Sequence, residues 1–230
     1  TGPKSDLLIA KLTDEKTDNE SFPWLSHKSI KLCGEDTRVL KVSYAGEKGF
    51  EIHVHNNSMK KIYDELVQHG ENFNLIHFGM LALDSMRLEK NYRSWKSDLT
   101  SDYTMLQSGL EKWIKFDKGN FIGKEALKNE FDLGTSKKFV TLVVDDPEDN
   151  KPFGEPVYLS PVFAGDDYLG PIVSSGYGHR VKKSISMAIL DDRNLNGLND
   201  QLYIDVLGRK RKAYIVNEAL YDPENLKLRS

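Results

Sequence analysis

The amino-acid sequence predicts an α+β fold, in which strands mixed with covering helices are followed by a small antiparallel β-barrel or β-sandwich. Two observations predict this class. Strand-like and helix-like hydrophobic patterns alternate up to about residue 134, whereas only short β-like runs, separated by Asp, Gly and Pro, follow it. The composition of Gly134-Thr135-Ser136 is typical of a linker. We therefore expect two domains, 1–134 and 135–230.

The elements of the first domain follow from hydrophobic spacing. Apolar residues after Ser5-Asp6 favour a short N-terminal helix, since early acidic residues suit the positive end of a helix. Spacing at i, i+3, i+4 and i+7 predicts a longer helix that begins at Asn57 as its cap and ends at Gly70. The remaining predictions are strands at 29–32, 38–44 and 50–55, a turn at 34–36, and helices at about 79–89 and 121–133.

The second domain is predicted to consist of short strands. They are spaced as in a small antiparallel barrel or sandwich and lie at 139–144, 157–159, 172–175, 185–190, 202–207 and 211–216. The segment GDDYLG at 165–170 is interpreted as a hairpin turn, because its glycine spacing is wrong for a phosphate loop and its two aspartates would repel phosphate.

Composition narrows the classes of function. The chain has 32 Lys plus Arg against 35 Asp plus Glu, a net charge of −3, and 39% apolar residues, so disorder, coiled coil and collagen are excluded. No basic excess indicates a nucleic-acid partner, and no run approaches 18 apolar residues, so no membrane partner is expected. A single cysteine, Cys33, fits a reducing compartment, the cytoplasm or, in a eukaryote, the mitochondrial matrix. Thr1 is not an initiator Met, so we expect further residues upstream.

Common catalytic and metal-binding signatures are absent from the sequence. It contains no G-x-S-x-G, no P-loop lysine, no H-E-x-x-H and no G-x-G-x-x-G after a strand. Of the six histidines, only His53 and His55 share a predicted strand face, and two ligands without a nearby third make a weak metal site. We therefore predict no metal and interpret both as solvated strand residues, with a ligand-binding role for His53 left open.

One hairpin stands out as a candidate binding site. Tyr44 is predicted to end one strand and Glu51 to begin the next, across the glycine-bounded loop 45–49. An aromatic ring and a carboxylate together suit a flat heterocycle with an amidine-like edge: the ring packs on one face, and the carboxylate accepts two N–H bonds. A purely structural role for the pair is the alternative that these residues leave open.

Four segments carry a family resemblance that extends over essentially the whole chain: KVSYAGEKGFEIHV, RLEKNYRSWKSDLT, GLEKWIKFDKGNFIGKEAL and LYDPENLKLR. Together they resemble the aminomethyltransferase (T-protein) family, and within it the folate-binding C-terminal portion of dimethylglycine and sarcosine dehydrogenases or oxidases. EKNYRSWKSDLT is similar to that branch, and Leu83 stands where the glycine-cleavage branch has an arginine. The implied fold is a truncated aminomethyltransferase folate-binding domain, a mixed sheet with covering helices, followed by the family's small antiparallel β-barrel domain.

The resemblance also implies site residues and cofactors. The tyrosine and glutamate that match Tyr44 and Glu51 bind tetrahydrofolate in this family, the glutamate accepting hydrogen bonds from the pterin amino edge. His53 is expected to line the same site, and Tyr92 matches an aromatic residue near it. The family's aspartate beside the reactive folate nitrogen belongs to an upstream segment, so no catalytic residue is assigned. The FAD domain of the dehydrogenase branch lies further upstream.

The implied function is one-carbon transfer to tetrahydrofolate within a larger FAD-dependent enzyme that demethylates dimethylglycine or sarcosine. The imine or formaldehyde product would yield 5,10-methylenetetrahydrofolate, and the expected partners are the folate and the upstream flavin domain of the same polypeptide. The 230-residue chain by itself is expected to be inactive. Two alternatives stay open: a free-standing aminomethyltransferase such as the glycine cleavage T-protein, and a non-catalytic folate-binding module.

Overall fold

The computed structural model describes residues 1–145, 154–192, 195 and 202–229. The chain forms two compact units. Unit 1 contains Thr1–Lys90 together with the C-terminal residues from Leu220, and unit 2 contains Asn91–Ala219. The predicted α+β class is confirmed, while the division of the sequence into domains at residues 134 and 135 stays a prediction.

Helices and strands alternate along unit 1 before the chain enters unit 2. Unit 1 contains α1 (Ser5–Ala10), β1 (His27–Leu32), β2 (Glu35–Leu40), β3 (Glu51–Val54), α2 (Asn56–Gly70), a 3-10 turn (Glu71–Phe73) and α3 (Met80–Glu89). Unit 2 contains a 3-10 turn (Glu111–Trp113), α4 (Lys124–Leu133), β4 (Lys137–Val144), β5 (Pro161–Ala164), β6 (Asp167–Gly178), β7 (Lys183–Asp191), β8 (Leu202–Val206) and β9 (Arg209–Val216). The last helix, α5 (Leu226–Arg229), belongs to unit 1 again.

The strands of unit 1 form an antiparallel sheet in the order β1-β2-β3. Side chains alternate between its two faces, and those of one face enter an apolar core. In this core Ile30, Val39 and Ile52 of the three strands pack with Ile9 of α1 and Ile62 of α2. The alternation that predicts the strands therefore also decides which of their side chains reach solvent.

The hairpin between β1 and β2 turns one residue earlier than predicted. Cys33 and Gly34 both have left-handed backbone, with φ of 53° and 81°, which is the pattern of a two-residue type I′ turn. β2 is also shorter than the predicted strand 38–44. It ends at Leu40, and one further pair of backbone hydrogen bonds joins Lys41 to Ser26 and to Leu25, where φ is 63°. The prediction that Tyr44 ends a strand is therefore wrong, and Tyr44 lies in a loop.

Helix α2 differs from its prediction at both ends. Its cap is His55 rather than Asn57, since Nδ1 of His55 accepts a hydrogen bond from the Asn57 backbone N–H at 3.4 Å. Gly70 is still helical, and the left-handed residue that ends the following 3-10 turn is Asn74, with φ 59°. A Cβ on Gly70 would lie 2.5 Å from Leu75, so close packing, not turn geometry, requires glycine here.

The strands of unit 2 close into a barrel in the order β4-β7-β6-β5-β8-β9, with β9 paired to β4, which confirms the barrel prediction. Its interior is apolar and includes Leu142, Val162, Leu190 and Leu202. Within the described ranges, no helix of either unit has both the length and the apolar character needed to cross a bilayer.

The segment before β5 is not the strand predicted at 157–159. The Ser160 N–H donates to the Val157 carbonyl at 2.9 Å, and Leu159 is left-handed with φ 69°, so the chain forms a turn. The strand begins after this turn, at Pro161. It is missed from the sequence because it is short and starts with a proline, which cannot donate to a ladder.

The interpretation of GDDYLG as a hairpin turn is confirmed, because Gly165 and Asp166 connect β5 to β6. The second glycine of this segment, Gly170, lies within β6, and glycine is required there by close packing and not by the turn. Gly170 has φ 153°, and a Cβ on it would lie 2.2 Å from the carbonyl oxygen of Ile189 in β7. Glycine at this position allows two strands of the barrel to approach closely.

Candidate functional site

The loop between β2 and β3, residues 41–50, carries the candidate Tyr44 and is called the glycine loop below. Its centre is tightly packed. Gly46 is buried with φ 78°, and a Cβ on it would lie 2.4 Å from Cγ of Lys90. Gly49 is also buried, and a Cβ there would lie 3.0 Å from the carbonyl oxygen of Val42. At Gly46, both the backbone conformation and the available space therefore require glycine.

The N-terminal part of unit 1 anchors both halves of the glycine loop. The Gly2 N–H donates to the Lys48 carbonyl at 2.7 Å, and the Lys48 ammonium forms a 2.7 Å ion pair with Asp6 of α1. At the start of the loop Lys41 is buried, and its ammonium donates to Oδ1 of Asn19 at 2.7 Å. Burial lowers the pKa of Lys41. Contacts with residues far along the chain therefore fix both halves of the loop.

Glu51 and His53 lie on the polar face of the sheet, since they are the first and third residues of β3. Both side chains are 60% exposed, and Nε2 of His53 lies 3.6 Å from a carboxylate oxygen of Glu51. Ile52, between them, packs against the core on the other face. On β2, Leu40 is paired with Glu51 and Arg38 with His53. The sheet thus presents an accessible carboxylate beside an imidazole.

The structure brings Glu51 and His53 together on β3, whereas the two candidate tyrosines lie outside the strands. Tyr44 is half-buried in the glycine loop, beyond the end of β2, and the cross-strand partner of Glu51 is Leu40. Strand pairing by itself therefore does not set Tyr44 opposite Glu51. Tyr92 is half-buried at the start of unit 2, shortly after α3. A joint role of these four residues stays a prediction.

β3 borders a recess on each face of the sheet of unit 1. An open groove of about 1400 Å³ runs along the polar face and includes His53, Arg38 and Cys33. A cavity of about 760 Å³ is lined by Ile52, by the glycine loop and by apolar side chains of α2 and α3. The cavity volume falls within the range of about 300 to 1,000 Å³ that is typical of small-molecule pockets. β3 therefore borders both a polar groove and a largely apolar cavity.

Sequence reasoning missed the contribution of the C-terminal residues to this region. The Tyr221 hydroxyl donates to the Glu47 carboxylate in the glycine loop. The Lys90 ammonium donates to the Asp222 carbonyl at 2.5 Å and to Oδ1 of Asn225 at 2.8 Å. The available sequence signal is the Asp-Pro-Glu-Asn composition at 222–225, which predicts a turn but not what the turn contacts.

Comparisons with known proteins match the chain along almost its full length. The family described as "GCVT N-terminal domain" matches residues 1–118, and the "Glycine cleavage T-protein C-terminal barrel domain" matches residues 137–222. Human "Dimethylglycine dehydrogenase, mitochondrial" is 30% identical over 224 residues, which cover 95% of this chain and 25% of that protein. An "Aminomethyltransferase" of Thermoanaerobacter sp. (strain X514) is 30% identical over 221 residues, which cover 96% of this chain and 58% of that protein.

Two further relatives extend this result. Mouse "Sarcosine dehydrogenase, mitochondrial" is 26% identical over 235 residues, which cover 99% of this chain and 25% of that protein. The crystal structure of the glycine cleavage system aminomethyltransferase T from Bartonella henselae shares the fold, with a TM-score of 0.79 at 19% identity over 95% of this chain and 57% of that one. The chain thus spans about a quarter to three fifths of these relatives' lengths. Because the GCVT N-terminal family alone matches half of its residues and the barrel family follows, the chain belongs to the glycine cleavage T-protein, or aminomethyltransferase, family.

Proposed function

We propose that this chain is the tetrahydrofolate-binding part of a one-carbon transfer module. The observation that carries the proposal is the Glu51 carboxylate, which is exposed at the start of β3, directly after the glycine loop, with His53 at 3.6 Å. The match to the GCVT N-terminal family includes this segment and supports the proposal. The relatives named aminomethyltransferase support the transfer of a one-carbon unit.

The residues present fit a reduced pterin. Its amino group and ring N–H form a planar donor edge, which a carboxylate binds through two parallel hydrogen bonds. Glu51 has solvent-accessible oxygens for such a pair, and the half-buried ring of Tyr44 offers an apolar face to a flat ring system. His53 would hold the Glu51 carboxylate in orientation. When bound, tetrahydrofolate supplies the amine that takes up the one-carbon unit, and these side chains bind and orient it.

We further propose that the whole protein is an FAD-dependent enzyme that demethylates dimethylglycine or sarcosine, with the flavin in an upstream domain that acts as the partner of this chain. Two relatives, the human dimethylglycine and mouse sarcosine dehydrogenases, support this, and the chain spans a quarter of each. The product on the folate side would be 5,10-methylenetetrahydrofolate. The proposed compartment is the cytoplasm or the mitochondrial matrix, and the proposed domains remain 1–134 and 135–230.

A free-standing aminomethyltransferase is the second candidate, because the Thermoanaerobacter protein matches at the same identity and the chain spans 58% of it. The visible absorbance spectrum of the full-length protein separates the two. Flavin bands that co-purify with the protein support the demethylating enzyme. A colourless protein that transfers an aminomethyl group to tetrahydrofolate supports the second candidate. A protein that binds folate but catalyses neither demethylation nor aminomethyl transfer is a binding module.

The Glu51→Gln substitution tests the binding site itself, because it keeps the side-chain shape and removes the charge. We expect tetrahydrofolate to bind roughly 10- to 150-fold more weakly, the effect of losing a charge-assisted hydrogen bond. Isothermal titration calorimetry measures this without any amine substrate. Glu71→Gln, at an exposed glutamate of the same unit, is the matched control and should bind like the wild type. Unchanged affinity in Glu51→Gln would remove Glu51 from the site.

A further inference from the structure

Residues Leu220–Arg229, which we call the C-terminal segment, fold back into unit 1. Asp222 closes the first turn of this segment, since its Oδ1 accepts a hydrogen bond at 2.9 Å from the backbone N–H four residues later. Leu228 of α5 is 2% exposed. The Tyr221 N–H donates to the Glu89 carbonyl at the end of α3, at 3.0 Å. The C-terminal segment is therefore an anchored part of unit 1 beside the end of α3.

Tyr221 links the C-terminal segment to the glycine loop. Its hydroxyl donates to the Glu47 carboxylate, and the Lys227 ammonium donates to the same hydroxyl at 3.1 Å. Ammonium, hydroxyl and carboxylate in this order polarise one another, so each bond strengthens the next. The hydrogen bond to Tyr221 is the main cause of the raised pKa of Lys227. The C-terminal segment thus holds Glu47, which lies between Tyr44 and Glu51 in the sequence.

Lys90 forms a second link. Its ammonium donates to the Asp222 carbonyl at 2.5 Å and to Oδ1 of Asn225 at 2.8 Å, and it lies 3.6 Å from the Asp222 carboxylate. The side chain is 1% exposed, and a buried charge requires such acceptors. The aliphatic part of Lys90 is the surface against which Gly46 packs. The C-terminal segment therefore fixes the side chain that supports Gly46.

A third link reaches the beginning of the glycine loop. The Asn19 side chain donates to the Arg229 carbonyl at 2.9 Å and accepts a hydrogen bond from the Lys41 ammonium at 2.7 Å. Asn19 therefore bridges the end of the C-terminal segment and the first residue of the loop. Three loop positions, 41, 46 and 47, are tied in this way, and they flank Tyr44 on both sides.

We infer that the C-terminal segment is a positioning element of the tetrahydrofolate site, which acts through two positioning residues, its own Tyr221 and Lys90 at the end of α3; this inference rests on the proposed function. Binding through Tyr44 and Glu51 needs a fixed loop between them. A loop that is already ordered in the free protein loses little further conformational entropy when the ligand binds. Breaking the bond from Tyr221 to Glu47 should loosen the loop and weaken binding, although neither residue is assigned a ligand contact.

The Tyr221→Phe substitution tests this in the full protein, because it removes only the hydroxyl. We expect faster amide hydrogen exchange at 41–50 without ligand, and tetrahydrofolate affinity lowered roughly 3- to 10-fold in calorimetry. Glu47→Gln weakens the same hydrogen bond from the other side and should produce the same changes, with little further effect when the two are combined. Tyr214→Phe is the matched control, since it removes a hydroxyl that accepts from Lys183 within unit 2.

The outcomes separate this inference from the proposed function. Unchanged exchange in the loop of Tyr221→Phe overturns the inference, and Glu47→Gln decides it if Tyr221→Phe does not fold. Faster exchange with unchanged affinity also overturns it when Glu51→Gln does weaken binding, because the loop then moves without affecting the site. If exchange rises but neither Tyr221→Phe nor Glu51→Gln changes the affinity, the proposed function fails and the site named here fails with it.

Discussion

Replacing Gly46 with alanine should destabilise unit 1 by about 2.5 to 5 kcal/mol, through two separable effects. Alanine at φ 78° carries a left-handed penalty of about 1 to 2 kcal/mol. Its Cβ would also lie 2.4 Å from Cγ and 2.6 Å from Cδ of Lys90. The Lys90 chain cannot simply swing away, because its ammonium is bound to Asp222 and Asn225. Moving it would sacrifice charge-assisted hydrogen bonds worth about 1.5 to 3 kcal/mol.

Gly34→Ala is the matched control for this prediction. Gly34 has φ 81°, but a Cβ on it meets nothing within 4 Å, so only the backbone penalty applies. Both glycines belong to unit 1, so urea unfolding followed by circular dichroism reports on the same structure in each variant. The difference between the two losses in free energy of unfolding measures the clash at Lys90. Equal losses would refute the argument that Gly46 packs on a fixed Lys90 side chain.

Three further predictions concern other parts of the chain. Gly170→Ala should destabilise the barrel by about 3 kcal/mol or more, because φ is 153° and the new Cβ would meet the Ile189 carbonyl oxygen; a melting temperature equal to that of the wild type would contradict this. Burial, followed by a neighbouring carboxylate, raises the pKa of the Cys33 thiol, so its alkylation by iodoacetamide should need a higher pH in the native than in the urea-unfolded chain. The pKa of Asp222 lies below its usual 3.8: burial opposes this, but backbone N–H groups and the Lys90 charge outweigh burial. The ionised Asp222 carboxylate therefore stabilises the fold above pH 3.8, and this contribution is lost as the pH falls through the folded-state pKa. In urea titrations, the difference in free energy of unfolding between the wild type and Asp222→Asn should shrink on acidification.

Hydrophobic alternation predicts most of the fold. Ile30, Leu32 and Val39 fall at alternate strand positions, and all three are in the core of unit 1. The wrong predictions lie at positions where the residue type does not indicate the backbone conformation. Nothing about a cysteine indicates left-handed backbone, so the turn at Cys33 is predicted one residue late. Pro161 argues against a strand, although β5 begins there.

The candidate site is predictable only where its geometry is local. A spacing of two residues places Glu51 and His53 on one strand face, and the structure sets them 3.6 Å apart. The hydrogen bond between Tyr221 and Glu47 joins residues 174 positions apart, and no local pattern connects them. The position of Tyr44 also depends on tertiary structure, because residues outside the glycine loop, Asn19 and Tyr221, hold the loop on either side of it.

Unit 1 is discontinuous in the sequence, and this sets an order for its completion during synthesis. The whole of unit 2, Asn91–Ala219, separates Lys90 from the C-terminal segment. At ribosomal rates of about 5 to 20 residues per second, the glycine loop emerges on the order of ten seconds before Tyr221. During that interval Glu47 and Lys90 lack the partners that Tyr221 and Asp222 later provide. The nascent chain can therefore form the sheet of unit 1 early, whereas the glycine loop reaches its final geometry only after the barrel has been made.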